Sequence, residues 1–214
     1  MSDRAGLVIA IDGIAGAGKS TLAAALAERL GLEYLDTGAM YRAVALAAVQ
    51  RGVSPSDGPG LSEIAATISL EVGKRVLLDG RDVTGAIRSA EVDATVSEVA
   101  AHPGVREALV ERQRQWAAVR DGAVVEGRDM ATVVFPDAQL KLFLVADLQV
   151  RGERRFAQSA AEPAPGAVAA ALARRDEYDS NRQAAPLRPA PGAKVLDTTN
   201  ASVAELVDQV LGWL

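Results

Sequence analysis

The stretch 7–21, LVIAIDGIAGAGKST, constrains this chain more than any other part of it. The run 7–11 is apolar and rich in branched side chains, which is typical of a strand buried on both faces. The loop from Gly13 to Ser20 has the full pattern G-x-x-x-x-G-K-[ST], and 21–30 has the composition and spacing of a helix. A strand, a glycine-rich loop and a helix in this order predict a site for the phosphates of a nucleotide.

The chemistry of phosphate explains the residue types in this loop. Glycines let the backbone curl until successive N–H groups face one anion, and the helix N-terminus adds free N–H groups and a favourable dipole. A lysine at position 19 can reach the β- and γ-phosphates, and the Ser20 hydroxyl can ligate Mg²⁺. The motif therefore predicts binding of a nucleoside triphosphate, with Ser20 as the metal ligand.

Length and composition exclude several other classes of protein. A chain of 214 residues with 49% hydrophobic residues suits one α/β domain with room for a small inserted subdomain. The absence of cysteine excludes disulfides, thiolate metal sites and a cysteine nucleophile. We expect no signal peptide and no membrane span, hence a cytoplasmic protein, and the formal net charge of −5 argues against a general nucleic-acid binder.

Strand-like and helix-like segments alternate along most of the chain, which favours a parallel sheet with right-handed crossovers. We predict five strands for this sheet, at 7–11, 33–36, 123–126, 140–145 and 194–197. The segments with helical pattern are 21–30, 39–51, 61–68, 91–101, 105–120, 148–158 and 203–214, and 54–60 has the composition of a loop.

Two segments depart from this alternation. Short strand-like pieces at 69–72, 75–78 and 82–84, with a hairpin signal at Asp79-Gly80, predict a small antiparallel sheet inserted into the α/β frame. The Ala/Pro-rich stretch 157–173 predicts a turn between two helices that form a lid. We therefore expect a single domain whose parts are a core at about 1–60, 85–147 and 183–214, an insertion at about 61–84 with adjoining helices to 101, and a lid at about 148–173.

Polar clusters follow the predicted strands at the ends where open α/β sheets bind ligands. These clusters are Asp36-Thr37-Gly38 with Tyr41-Arg42, then 126–129 (EGRD), then 174–182 (RRDEYDSNR). Structural roles are open for some members: Asp36 could cap the next helix, Arg175 and Asp179 could be an i,i+4 pair, and Glu126 could accept a hydrogen bond near a metal.

Together these residues resemble the bacterial cytidylate kinases of the nucleoside monophosphate kinase family. The segments that carry the resemblance span almost the whole chain and are AIDGIAGAGKST, LDTGAMYRAVALAA, GRDVTGAIRSAEV, VREALVERQR, VVEGRDMATVVFPDA and RRDEYDSNRQAAPL. The resemblance implies a three-layer P-loop fold with a five-stranded parallel sheet, an enlarged insertion for the monophosphate and a short helical lid. It also implies a monomer whose substrates are ATP, with Mg²⁺, and CMP or dCMP.

The resemblance assigns roles to individual residues. It implies that Lys19, Arg128, Asp129 and Arg182 are catalytic, with Arg42, Arg128 and Arg182 around the 5′-phosphate of the acceptor. Ser97, Arg106 and Asp129 would read the cytosine edge, Thr37 and Tyr41 would lie near the acceptor, and Arg175 and Asp179 would reach the sugar. Arg151, Arg154 and Arg155 would face the triphosphate from the lid side. The residues implied to bind ATP are Gly13, Ile14, Ala15, Gly16, Ala17, Gly18, Lys19, Ser20, Thr21 and Arg154.

The chain also departs from the family pattern in three places. Ile14-Ala15 stands where Pro followed by Ser or Ala is usual, Ala131 stands where Gly is common, and the lid is short. Two other functions fit the phosphate loop by itself. One is a kinase for another small acceptor, such as AMP, shikimate or dephospho-coenzyme A, and the other is a nucleotide-binding regulator whose hydrolysis drives a partner.

Overall fold

A computed structural model describes residues 6–157, 166–182 and 184–214 of the chain. The chain divides into two compact units. One unit, called the loop unit here, contains the chain up to Tyr34 and from Asp121 to Leu214. The other, called the middle unit, is Leu35–Arg120. The phosphate loop belongs to the loop unit, and the predicted antiparallel insertion belongs to the middle unit.

In the described part of the chain the main sheet has five strands, as predicted, in the order β2-β6-β1-β7-β8. Pairing is parallel between β1 and β6, β1 and β7, and β7 and β8. The strands are β1 (Leu7–Gly13), β2 (Glu33–Asp36), β6 (Gly122–Glu126), β7 (Leu140–Val145) and β8 (Lys194–Asp197). Because β1 is central, the loop that leaves its carboxyl end emerges between the ends of β6 and β7.

The register of the strands fixes what surrounds the loop. Ile11 lies beside Glu126 of β6, and Gly13 lies beside Leu144 of β7. The strand residues Ile9 and Ile11 are fully buried in a cluster of aliphatic side chains. Ala10, on the opposite face of the strand, is fully buried as well, and burial on both faces is why the sequence shows a continuous apolar run instead of an alternating one.

Within its described residues, the loop unit has the α-helices α1 (Lys19–Leu30), α6 (Leu148–Ala157), α7 (Ala167–Asn181) and α8 (Val203–Leu211). Leu22 and Leu26 of α1 and Val210 of α8 pack in the same core cluster as the strands. Ser202 and Glu205 form a capping box that begins α8. The predicted lid overlaps α6 and the start of α7, and its residues 158–165 lie outside the described residues.

The middle unit contains the predicted antiparallel sheet of β3 (Leu70–Val72), β4 (Val76–Leu78) and β5 (Arg81–Asp82). Leu70 pairs with Leu78, and Leu78 pairs with Arg81. The helices of this unit are α2 (Thr37–Arg51), α3 (Gly58–Thr67), α4 (Ala90–Val99) and α5 (Pro103–Ala118), with a 3₁₀ turn at Ala86–Arg88.

Predicted boundaries in this unit shift by up to three residues, and two of the shifts have a clear physical cause. Residues 54–60 were expected to be a loop, but α3 begins at Gly58 because the Asp57 carboxylate accepts from Gly60 N at 3.1 Å and Pro59 suits a first helical turn. The third short strand ends at Asp82 and does not reach Thr84, because Asp82 Oδ1 accepts from the Thr84 backbone N–H at 3.0 Å and closes a turn.

None of the helices in the described part of the chain combines the length and the hydropathy that a membrane span requires.

Candidate active site

The phosphate loop connects β1 to α1, and its start is fixed by close contact with β7. Gly13 has φ of +149°, and a Cβ atom there would lie 2.3 Å from the carbonyl oxygen of Leu144. At the other end of the loop, Gly18 is the N-cap of α1 in the left-handed conformation. Among the described residues no side chain caps α1, so its first turn is arranged to receive an external anion.

Lys19 lies across the loop with its amine turned back on the backbone. Lys19 Nζ donates to the carbonyl oxygens of Gly13 and Ile14, both at 2.9 Å. Burial is the largest cause, and the positive charge of Arg128 the second largest, of a shift that lowers the pKa of Lys19 to about 7. The negative charge of Glu126 acts in the opposite direction. A polyphosphate bound beside this amine would favour its charged form.

Arginines gather around one buried carboxylate beside the loop. Arg128 Nη1 donates to the Gly13 carbonyl oxygen at 2.7 Å, and Arg128 Nε donates to Asp179 Oδ2 at 2.7 Å. Arg182 Nη1 lies 4.0 Å from Asp179 Oδ1, and Arg182 Nε donates to the carbonyl oxygen of Ala185 at 2.6 Å. The structure thus brings together residues from three separate parts of the sequence: the phosphate loop, the end of β6 and the end of α7.

The electrostatics of this cluster keep Asp179 ionised. Burial by itself raises the pKa of the Asp179 carboxyl. The nearby charges of Arg128, Arg175 and Arg182 outweigh burial and hold that pKa below its usual range, and Arg128 has the largest effect of the three. An ionised Asp179 positions the Arg128 guanidinium by a charge-assisted hydrogen bond.

The segment after β6 is held by a second buried carboxylate, Asp12. Asp12 accepts from the backbone N–H groups of Met130 at 2.7 Å and Ala131 at 2.8 Å. These amides begin a π-helical turn at Met130–Val134, directly after Asp129. Burial raises the pKa of Asp12 to about 6, although the two amide hydrogen bonds act against the shift. Asp12 therefore determines where the chain leaves Arg128 and Asp129.

Two residues can be tested as partners of a magnesium ion. Ser20 is exposed in the first turn of α1, so its hydroxyl is accessible. Glu126 is buried at the end of β6 and accepts from the Tyr34 hydroxyl at 2.5 Å. The described residues contain no group of three or more acidic or histidine side chains that could hold a metal by themselves. This donor set fits Mg²⁺ that is bound through one protein oxygen, substrate phosphates and water.

Two arginines of α6 are linked to the phosphate loop, Arg151 directly and Arg154 through Thr198. Arg151 Nη1 donates to the Ala15 carbonyl oxygen at 3.0 Å, and Asp176 Oδ1 accepts from Ala15 N at 3.0 Å. Arg154 Nη1 donates to Thr198 Oγ1 at 3.1 Å, and that hydroxyl in turn donates to the Ala17 carbonyl oxygen at 2.9 Å. The loop is therefore attached to α6, α7 and the segment after β8.

Within the middle unit, Arg42 is held by two acceptors. Its Nη2 forms an ion pair with Asp93 Oδ1 at 2.6 Å, and its Nη1 donates to the carbonyl oxygen of Ile87 at 3.0 Å. Ser97 lies on α4 one turn after Asp93 and is half-buried.

A second pair in this unit is Tyr41 and Arg106. The Arg106 guanidinium lies 5.9 Å from the centre of the Tyr41 ring, and both side chains are buried. Thr37 is buried at the first position of α2. Asp36 caps α2 by accepting from Ala39 N at 3.0 Å, as one of the interpretations of the sequence expected.

The sequence did not indicate several residues that the structure places in contact with the predicted site residues. These residues are Asp12, Tyr34, Asp93 and Thr198, while Asp176 lay in the predicted polar cluster 174–182 but had no assigned role. A signal existed for Asp12, because a charged residue at the end of an apolar strand is unusual. The other residues meet their partners over long separations in sequence or lie on ordinary amphipathic helices.

The fold and the loop define the class of protein: a P-loop phosphotransferase with a cationic site beside the loop. Comparison with known proteins narrows this class. A sequence model of the family described as cytidylate kinase matches residues 9–214. The chain belongs to the cytidylate kinase family.

Individual relatives agree with this assignment. A cytidylate kinase from Symbiobacterium thermophilum is 47% identical over 96% of this chain and 94% of its own length. A bifunctional pantoate ligase/cytidylate kinase from Synechococcus sp. (strain JA-3-3Ab) is 49% identical over 95% of this chain, which corresponds to 40% of that protein. A solved gluconokinase from Sinorhizobium meliloti 1021 shares the fold at 15% identity, with a TM-score of 0.53 over 98% of this chain and 91% of its own.

Proposed function

We propose that this protein transfers the γ-phosphoryl group of ATP to CMP or dCMP, giving ADP and CDP or dCDP. Family membership supports the reaction class and the acceptor. The observation that carries the site assignment is the hydrogen bonding of Arg128, which joins the phosphate loop at Gly13 to the buried carboxylate of Asp179. Because the Arg128 guanidinium lies between the phosphate loop and Asp179, it is suited to balance the negative charge of two bound polyanions.

The donor is proposed to bind along the phosphate loop. Backbone N–H groups of the loop and the uncapped first turn of α1 would surround the β- and γ-phosphates, and Lys19 would exchange its hydrogen bonds to the loop carbonyls for phosphate oxygens. Arg154 would add positive charge near Gly18, since its Nη1 lies 4.0 Å from a Cβ atom built there. The proposed ATP-binding residues are those of the loop, with Thr21 and Arg154.

The acceptor phosphate is proposed to bind to arginines. Arg128 and Arg182 both lie beside Asp179, which orients their guanidiniums. Arg42 is proposed to contact the same phosphate. Guanidiniums suit this task because they bind phosphate oxygens through paired donors and stay charged at any physiological pH.

The nucleoside is proposed to be read by polar side chains around Asp129. A carboxylate can accept from the exocyclic amine of cytosine, and arginine can donate to the ring acceptors. Asp129 and Arg106 are proposed for these roles, with Ser97 beside them. Thr37 and Tyr41 are proposed as neighbours of the acceptor, and Arg175 with Asp179 as contacts of the sugar.

The reaction needs no general base, because the attacking oxygen belongs to an acceptor phosphate that is already ionised. That oxygen forms a bond to the γ-phosphorus while the bond from this phosphorus to the β–γ bridging oxygen breaks, and ADP leaves. Lys19, Arg128 and Arg182 would hold the two reactants in line and balance the negative charge. Mg²⁺, held by Ser20 with the phosphates, would supply further positive charge to the β- and γ-oxygens when bound.

We further propose that the protein acts as a cytoplasmic monomer in pyrimidine nucleotide metabolism. Both substrates of the proposed reaction are small molecules, so neither a membrane nor a nucleic acid is required for it.

The proposal is tested by ADP formation from ATP·Mg²⁺ with CMP, dCMP, UMP, AMP, GMP, shikimate, dephospho-coenzyme A or no acceptor. Arg128→Met and Asp129→Ala are measured alongside, with Arg174→Met as the matched control because Arg174 is exposed on α7. We expect CMP-dependent turnover that falls by about 100-fold or more in Arg128→Met and is unchanged in Arg174→Met. Asp129→Ala should lower turnover with CMP more than turnover with UMP, because only cytosine offers an exocyclic amine to the carboxylate.

Other outcomes would contradict specific parts of the proposal. Turnover with AMP, shikimate or dephospho-coenzyme A in place of CMP would retain the phosphotransfer and reject the acceptor. ATP hydrolysis that is independent of any acceptor, and that is unaffected by both site variants, would reject the kinase function and favour a nucleotide-driven regulator.

A further inference from the structure

Both peptide groups of Ala15, the third residue of the phosphate loop, are held by side chains from two helices. Ala15 N donates to Asp176 Oδ1 of α7 at 3.0 Å, and the Ala15 carbonyl oxygen accepts from Arg151 Nη1 of α6 at 3.0 Å. The same Arg151 Nη1 donates to Asp176 Oδ2 at 2.5 Å, which closes a ring of three hydrogen bonds. We call Arg151, Asp176 and the peptide groups of Ala15 the Ala15 clasp.

The clasp is buried, and its arginine is committed to protein groups. Arg151 is only 6% exposed, and its Nε also donates to the carbonyl oxygen of Ala146 at 3.0 Å. A Cβ atom built on Gly16 would lie 3.1 Å from Arg151 Cβ, so this side chain packs directly on the loop. A buried guanidinium is costly to release from such partners, because it would lose its ion pair and its hydrogen bonds together.

We propose that Arg151 and Asp176 are positioning residues that fix the phosphate loop in the conformation that receives the polyphosphate of the donor nucleotide. Neither side chain needs to contact the nucleotide, because each acts through Ala15. The inference rests on the proposed function only in that the loop binds a nucleoside triphosphate. It replaces the expectation that Arg151 reaches the triphosphate from the lid side.

The physical argument is preorganisation. A glycine-rich loop has many conformations, and a loop that is not already ordered must be ordered at the expense of binding free energy. The clasp fixes the N–H and the C=O of Ala15, so the peptide groups that follow it in the loop are held in one orientation. Loss of the clasp should therefore weaken binding of the donor and leave the affinity for the acceptor almost unchanged.

Asp176→Asn separates this proposal from its main alternative. If Asp176 restrains an arginine whose task is to bind phosphate, removal of the carboxylate charge frees Arg151 and tightens nucleotide binding. If the pair is a clasp, the same change weakens nucleotide binding, because the link from Arg151 to Asp176 loses its ion pair. The variant keeps the size of the side chain and an acceptor for Ala15 N, so it is the variant of the two that should fold without difficulty.

The experiment measures the dissociation constant of ADP·Mg²⁺ by titration calorimetry for the wild type, Arg151→Met, Asp176→Asn and the double variant. Arg174→Met and Glu177→Gln, at exposed positions on α7, are the matched controls because they remove the same charges. We expect binding to weaken by about tenfold or more in Arg151→Met and by about threefold or more in Asp176→Asn. The double variant should be no weaker than Arg151→Met, because the two residues act as one unit.

Steady-state kinetics provide the second readout. We expect KM for ATP to rise in parallel with the dissociation constant while KM for CMP stays within about twofold of the wild type. Tighter binding in Asp176→Asn, or binding equal to that of the exposed controls, overturns the proposal. Direct binding requires no acceptor, so a wild type that binds ADP·Mg²⁺ and fails to phosphorylate CMP would reject the proposed function and still leave the clasp testable.

Discussion

Asp12 is only 1% exposed. Its carboxylate holds a turn in place by accepting hydrogen bonds from two backbone amides. Burial raises its pKa from 3.8 to about 6, which has a consequence for stability. Between these two values the folded protein binds a proton that the unfolded chain releases. The contribution of Asp12 to stability is therefore fully present below about pH 4 and is lost as pH rises through about 6.

This predicts a pH-dependent difference between the wild type and Asp12→Asn. The free energy of unfolding of the wild type, minus that of the variant, should fall by about 2 kcal/mol between about pH 4 and about pH 6.5. Denaturant unfolding at a series of pH values measures it, and the subtraction cancels the carboxylates common to both proteins. The series ends below the pKa of Lys19, which is about 7. A constant difference would contradict the raised pKa.

Asp93 allows a prediction about the acceptor. Its carboxylate lies 2.6 Å from the Arg42 guanidinium and neutralises part of the charge that we propose for the acceptor phosphate. Asp93→Asn should lower KM for CMP by about twofold to fivefold, with little change in KM for ATP. Arg42 remains oriented in this variant because its bond to the Ile87 carbonyl persists. A higher KM for CMP would show instead that Asp93 is needed to orient the arginine.

At this scale the sequence predicted the residues of one continuous motif and few of their partners. The loop from Gly13 to Ser20 was predictable because its chemistry lies in adjacent residues. The Ala15 clasp was not, because Arg151 and Asp176 are 25 residues apart and neither has a spacing signature. The roles assigned to the acceptor residues came from the resemblance, since no pattern in one sequence reveals which arginines meet a phosphate.

At the scale of the element, the junction of β1 with the phosphate loop depends on one glycine. A Cβ atom on Gly13 would lie 2.3 Å from the carbonyl oxygen and 2.8 Å from the nitrogen of Leu144, both backbone atoms of β7. Backbone cannot move aside as a flexible side chain can. Gly13→Ala should therefore separate two central strands and displace the carbonyl that holds both Lys19 and Arg128.

Gly31 provides the matched control for this position. It also has positive φ, at +67°, as the C-cap of α1, but a Cβ atom there meets nothing within 4 Å. We expect Gly13→Ala to cost about 3 kcal/mol or more of stability and to remove activity. Gly31→Ala should cost about 1 kcal/mol and retain activity. Thermal and denaturant unfolding compare the two, and equal costs would contradict the steric explanation.

Elements were more predictable than the contacts between them. All five strands of the main sheet were predicted, and three of them have the predicted limits, β2, β7 and β8. The start of α3 was missed because Gly-Pro-Gly has the composition of a loop, whereas the Asp57 cap makes it a first helical turn. The π-helical turn after Asp129 had no sequence signal, because Asp12, which holds it, lies more than 100 residues away.

At the scale of the whole molecule, net charge and site charge have opposite signs. The chain carries a formal charge of −5, and its proposed substrates are polyanions, yet the charged side chains proposed to contact their phosphates are arginines and one lysine. Attraction must therefore act locally, against a weak overall repulsion. Two of the arginines that we propose for the acceptor, Arg128 and Arg182, lie beside the same buried carboxylate, Asp179, which orients both of them.

This arrangement predicts a salt dependence confined to substrate binding. KM for CMP should rise by about threefold or more between about 50 mM and about 500 mM KCl, because salt screens the attraction between the arginines and the acceptor phosphate. The turnover number should change little, because the bound reactants exclude most of the mobile ions. Arg182→Met should show a higher KM and a shallower salt dependence, since it has one cation fewer to screen. A KM that is independent of salt in the wild type would mean that the arginines are already neutralised by the protein's own carboxylates, and the proposed acceptor site would then have to be abandoned.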